Sequence, residues 1–141
     1  MSPGTSEGPS PVDLVRRGLV ALAVRDWTAI RAACQEDVVL RIPGRSPIAG
    51  TTTGVDALVE RFHGLISGLT AGDRPAELVD ITASEDRAVV VQRNTVALPG
   101  REPVTVDMLV LAEFRGGLLA TLQYFSSDQY LLDEFWSQRM G

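Results

Sequence analysis

Val104-Thr-Val-Asp-Met-Leu-Val-Leu-Ala-Glu-Phe-Arg-Gly-Gly-Leu-Leu-Ala-Thr-Leu-Gln-Tyr-Phe125 is the stretch whose reading decides the fold. Two runs rich in branched and aromatic residues flank Gly116-Gly117, which predicts a strand, a two-residue hairpin turn and a second strand. The first run is apolar on both faces and carries few charges, Asp107 among them. Such a strand belongs in the middle of a sheet with both faces covered. The rest of the chain is then material that packs against this hairpin or extends it.

Working upstream, Arg87–Ala97 and Ala76–Ala83 read as two more strands turning at Glu85-Asp86. Before them, Leu58, Phe62, Leu65, Ile66 and Leu69 recur at helical spacing, and a helix is expected from Val55 to about Thr70, opened by Thr53 with Asp56 three residues on. Pro43 to Gly54 holds two prolines and three glycines and reads as an irregular loop. Asp37–Ile42 is a short strand that Pro43-Gly44 stops. Ser10 caps a first helix with Pro11 at its first position and Asp13 three residues after the cap, and Asp26 caps a second through Trp27, Ile30 and Cys34. Downstream, Tyr130, Leu131, Leu132, Phe135 and Trp136 form a short terminal helix. Residues 1–9 and 138–141 are expected to be tails around one domain, 10–137. Helices first and strands last argue an α+β fold, a curved, largely antiparallel sheet wrapped around a long helix with a conical cavity between them.

Composition narrows the chemistry. With 141 residues and a 45% hydrophobic content, one domain can build its core without a metal or disulfide. A net charge of −5 and the lack of a basic stripe argue against nucleic acid. No apolar run is long enough to cross a membrane, and the lone Cys34 suits a reducing, cytoplasmic setting. All 13 basic residues are arginine, so no lysine is present to form a Schiff base. One His and one Cys are too few for a usual zinc site, and neither metal nor cofactor is expected.

Several phrases taken together resemble the SnoaL-like polyketide-cyclase branch of the NTF2-like (ketosteroid isomerase-like) superfamily. They are Val38-Val-Leu-Arg-Ile-Pro-Gly44, Ser46-Pro-Ile-Ala-Gly50, Gly54-Val-Asp-Ala-Leu-Val-Glu-Arg-Phe62, Gly116-Gly-Leu118, and Tyr124-Phe125 with Asp128-Gln-Tyr130. The resemblance implies a cone-shaped fold whose cavity hosts isomerases, cyclases, hydrolases or plain binding proteins. It also implies where acids and bases would stand. The arginine of the epoxide-hydrolase relatives falls on Arg93, but their two carboxylate positions fall on Thr95 and Gln123. The isomerase base falls near Arg41 and the helix tyrosine on Phe62.

The resulting expectation is a cofactor-free cyclase or isomerase acting on a hydrophobic polyketide-like substrate, with Arg93 and Gln123 stabilising oxygen charge and Asp107 moving a proton. Trp27, Ile42, Phe62, His63, Ile66, Val91, Thr95, Met108, Val110, Thr121 and Phe125 would line the pocket. The alternatives are a small-molecule-binding protein without catalysis and a hydrolase or dehydratase with a rearranged acid pair. An apolar sheet face left over by the helices would make the chain a homodimer.

Overall fold

The computed structural model describes residues 8–140. The order is α1 (Pro11–Ala23), α2 (Trp27–Ala32), β1 (Cys34–Ile42), β2 (Gly50–Thr53), α3 (Val55–Ser67), β3 (Arg74–Ala83), β4 (Arg87–Val96), β5 (Val104–Arg115), β6 (Leu118–Ser126) and α4 (Gln129–Met140). The six strands form one sheet in the order β2-β1-β6-β5-β4-β3. All neighbours are antiparallel except β1 and β6, which run parallel. This is the expected α+β cone, and the quoted hairpin lies at its centre. Gly116 and Gly117 turn it with φ of 61° and 77°, the two positive angles that its tight turn demands.

Local chemistry explains most element boundaries. Ser10 and Asp13 form a reciprocal capping box on α1, and the Asp26 carboxylate accepts the Ala29 N–H at the start of α2. The start of α3 differs from the expectation. Thr53 pairs with Val39 as the last residue of β2, so Gly54 takes the cap position and Asp56 pairs with Arg31 of α2. The segment read as an irregular loop therefore contains a four-residue edge strand. Its pairing partner is distant in sequence, and four residues are too few to show a period.

One face of the sheet is packed and the other is open. Ala88, Val90, Gln92, Asn94 and Val96 on β4 are buried, as are Val106, Val110 and Ala112 on β5. Helices α1, α2 and α3 close this face near the narrow end, where Val38, Leu40, Leu58 and Phe62 form a core with Ile30 and Cys34. Helix α4 closes the wide end, where Leu132 and Phe135 pack on Val96, Leu98 and Val106. Phe135, Leu40, Leu58, Val38 and Val106 are the largest side chains removed from solvent, each contributing about 1.5–3 kcal/mol of apolar burial. The expected 138–141 tail is a correction: residues up to Met140 belong to α4, and Arg139 is one of its principal anchors. Most of the expected 1–9 tail lies outside the described residues.

Candidate functional site

Strand register decides which side chains can reach the interior. Cα partners Arg93↔Asp107, Leu111↔Gln123, Glu113↔Thr121 and Leu109↔Phe125 all lie on the open face. Arg93 and Asp107 stand opposite each other there as an ion pair, Nε to Oδ1 3.2 Å, with side chains 48% and 55% exposed. Val91 and Thr95 share that face. The placement of Arg93, Asp107, Gln123, Val91, Thr95, Thr121 and Phe125 around a cavity is therefore corrected: a shift of one residue in a strand exchanges its faces. A signal for the right face was present in the sequence. Arg87 and Arg93 alternate together on β4, opposite Glu113 and Asp107 on β5, and paired charges belong to the solvent side.

The remaining expected residues stand on the packed side. Ile42, Met108 and Val110 belong to the sheet's inner face, and Phe62 is in the core. Trp27 packs beside that core and meets the exposed His63 ring at a tilt of 41°, 5.6 Å between centroids. Ile66 is half-buried on α3.

Between the sheet and α4 lies a small, partly open cavity of about 30 Å³. Ile42, Pro43, Ser46, Ile48 and Met108 line one side, and Gln129, Leu132 and Trp136 of α4 line the other. Ser46 and Ile48 come from the loop that follows β1 and are both buried. Gly44 places that loop against α4: its φ is 100°, and a Cβ there would run into Asp133 and Gln129. The Asp133 carboxylate accepts the Arg45 N–H (3.0 Å), while the Gln129 amide donates to Pro43 O (3.2 Å) and to Asp133 (3.0 Å). A larger, shallow groove of about 390 Å³ between α1 and α2 is lined by Arg16, Arg17, Val20 and Val24. Asp26 also borders this groove, which lies open on the surface between the two helices, so the more sheltered cone interior is the candidate site.

The polar groups on the interior face are neutral. Gln92 stands beside Met108 and is buried, and Tyr124 stands beside Val110. Burial pushes the Tyr124 hydroxyl well above the ordinary phenol range, so it remains protonated. Asn94 is buried two residues from Gln92. Its carbonyl accepts the Ala76 N–H at 2.7 Å, supporting a bulge in β3 where Ala76 has φ 53°. Asn94 Nδ2 and Gln129 Oε1 are buried without a partner. Along residues 88–96 of β4 and 104–112 of β5, every charged side chain lies on the open face. Among the described residues no three His, Cys, Asp or Glu side chains group to hold a metal ion, and no helix is long and apolar enough to cross a membrane. Ser46, Ile48, Gln92, Tyr124, Gln129, Leu132 and Trp136 were not singled out as site residues from the sequence. Ser46, Ile48, Tyr124 and Gln129 stood only in phrases that marked the fold.

A mixed sheet rolled into a cone around α3 and closed by a C-terminal helix is the NTF2-like architecture. The chain belongs to the family of the SnoaL-like domain, whose model matches residues 15–122. The structure of Bal32a, from a soil-derived mobile gene cassette, is 28% identical and superposes with a TM-score of 0.79, covering 89% of this chain and 95% of that one. An NTF2-like protein of Burkholderia xenovorans is 20% identical, with a TM-score of 0.75 and coverage of 89% and 95%. TerC, co-crystallised with polyporic acid, is 19% identical, with a TM-score of 0.72 and coverage of 89% and 96%. At that identity the last two show the shared fold alone.

Proposed function

We propose that this protein takes an uncharged, mostly apolar polyketide-like molecule into its cone and promotes a cyclisation or isomerisation without a cofactor. The observation that carries the reading is the neutral interior face, with Gln92 beside Met108 on β4 and β5 and Tyr124 beside Val110 on β6 and β5. A phenol and amides of that kind orient carbonyl oxygens and stabilise charge that develops on them. Membership of the SnoaL-like family supports a small-molecule substrate of this class. A hydrolase with an internal acid pair is disfavoured, because Asp107 stands outside the cone. Incubation with candidate polyketide-like intermediates tests the reading. Tyr124→Phe is expected to lower kcat by about 100-fold, the scale of one lost oxyanion donor, with little change in KM.

A second reading, a binding protein without catalysis, is favoured by the lack of an internal base on β4 and β5. It differs in outcome: the ligand returns unchanged, and Tyr124→Phe alters only affinity. In either case the protein is proposed to act in the cytoplasm as a homodimer. The open face bears Leu109 and Phe125, each 45% exposed, among half-buried Val91 and Leu111. Two ion pairs, Arg93–Asp107 and Arg87–Glu113, are satisfied within the face, and a two-fold axis would set its apolar residues against those of a second copy. Light scattering should give twice the chain mass, and Phe125→Glu should halve it.

A further inference from the structure

The cavity of about 30 Å³ under α4 has room for water and not for an organic molecule. One side of its wall is a stripe of α4, with Gln129, Leu132 and Trp136 spaced three and four residues apart. Withdrawal of Leu132 and Trp136 would enlarge this cavity beside the unpartnered Gln129 Oε1, while Gln129 and Asp133 keep the start of the helix tied to Pro43 and Arg45.

The ties of α4 differ at its two ends. At its start the polypeptide enters from β6 through Ser126–Asp128. There Ser126 Oγ accepts the Asp128 N–H and the Asp128 carboxylate accepts the Leu131 N–H, both at 3.1 Å. This end is fixed by the covalent connection. At the far end one side chain makes the main polar connection. The Arg139 guanidinium donates to Gly68 O (3.0 Å), Ala97 O (2.8 Å) and Asp73 Oδ2 (2.6 Å) and lies 4.3 Å over the Phe135 ring. It thereby joins α4 to the ends of α3 and β4 at once. Near it, the Arg101–Glu134 pair is more than two-fifths exposed on both sides and contributes little.

Asp73 is arranged independently of the helix that it holds. Its carboxylate also accepts the Thr70 N–H (2.8 Å), the Thr70 hydroxyl (3.2 Å) and the Ala97 N–H (2.9 Å). These donors belong to the rim, so the receptor for Arg139 stays formed when α4 leaves. The Gly68 position gives the helix a close seat, with Trp136 only 3.1 Å from where a Cβ would stand.

We propose that α4 is a hinged lid over the cone interior, pivoting at Ser126–Asp128 and latched by Arg139 on the preformed Asp73–Ala97–Gly68 rim, and that substrate enters when the latch opens. The inference rests on the cone interior being the binding site.

The test uses the full chain, hydrogen exchange of α4 and stopped-flow uptake of Nile red, a neutral apolar dye. With a latch, wild-type uptake levels off at high dye concentration, because opening precedes binding. Arg139→Met should raise the plateau by about ten-fold or more, shifting the closed–open equilibrium accordingly. Amides of α4 should speed up by a larger factor than those of β5, which follow only the global loss of stability. Arg139→Lys keeps the charge and loses the fork, and should fall between; it also serves if Arg139→Met folds poorly. Uptake linear in dye with the same slope in all three proteins would overturn the latch. So would α4 and β5 amides exchanging together. The Met108 methyl resonance separates the two failures. If dye shifts it but the rates are unaltered, the site stands and the lid falls. If dye binds without shifting it, the interior is not the site and the proposal falls with it, even where α4 opens locally.

Discussion

Arg93–Asp107 and Arg139–Asp73 are made of the same two residue types and do different work. The first pair crosses neighbouring strands on the open face, with side chains 48% and 55% exposed. The second joins the last turn of α4 to the rim of the cone, 16% and 1% exposed. In the first, water competes for both partners, and one hydrogen bond is made between them. In the second, the carboxylate is surrounded by donors from Arg139, Thr70 and Ala97, and the guanidinium by two backbone carbonyls besides. The contrast shows that residue identity and charge say little about a pair. Burial and the number of supporting hydrogen bonds decide what it contributes.

The largest expected effect comes from breaking the buried pair on one side. Arg139→Met leaves the Asp73 carboxylate buried with only its rim donors. It should lower unfolding stability by about 3 kcal/mol, the low end for a stranded charge. Chemical denaturation measures it, and a loss under 1 kcal/mol would erase the distinction drawn between the pairs.

A pH series sharpens the same contrast. Burial pushes the Asp73 carboxyl up, but the hydrogen bonds from Arg139, Ala97 and Thr70, with the Arg139 charge, outweigh it and hold the carboxyl below the usual range. A depressed folded value means that the stabilisation is present above the unfolded value and lost as pH falls through the folded one. Wild-type stability should therefore fall from about pH 5 downward. In Arg139→Met burial is less opposed, and that acid-side slope should shrink. Equal slopes in the two proteins would assign the acid sensitivity elsewhere.

The smallest effect belongs to the exposed pair. Arg93→Met should change stability by about 0–1 kcal/mol and become indistinguishable from wild type at high salt. Turnover should not change in the monomeric unit, since the guanidinium lies on the face away from the cone. A large loss of kcat that Asp107→Asn does not reproduce would return Arg93 to the site.

Much of the fold was legible because its signals are local. The Ser10 and Asp26 caps, the Gly116-Gly117 turn and the helical spacing of Leu58, Phe62 and Ile66 each depend on residues a few positions apart. The candidate site was less legible. Arg93, Asp107 and Gln123 are the chemically active residue types in the central strands, and chemistry alone favoured them. Their faces depend on register, which is set by the partners across the sheet. Ser46, Gln129 and Trp136 meet only because a loop after β1 and a helix after β6 close over the same end of the cone.

The sequence by itself determined the helices and central strands, the absence of lysine chemistry and the membership of a cone-shaped family, because periodicity, caps and residue identity are properties of short stretches. Tertiary structure alone decided which face of the sheet is interior, that Arg139 is an anchor where a tail was expected, and that the cavity wall is neutral. Those depend on strand register and on contacts between residues such as Asp73 and Arg139, 66 positions apart. No local preference sets such distances, and only the packed core fixes them.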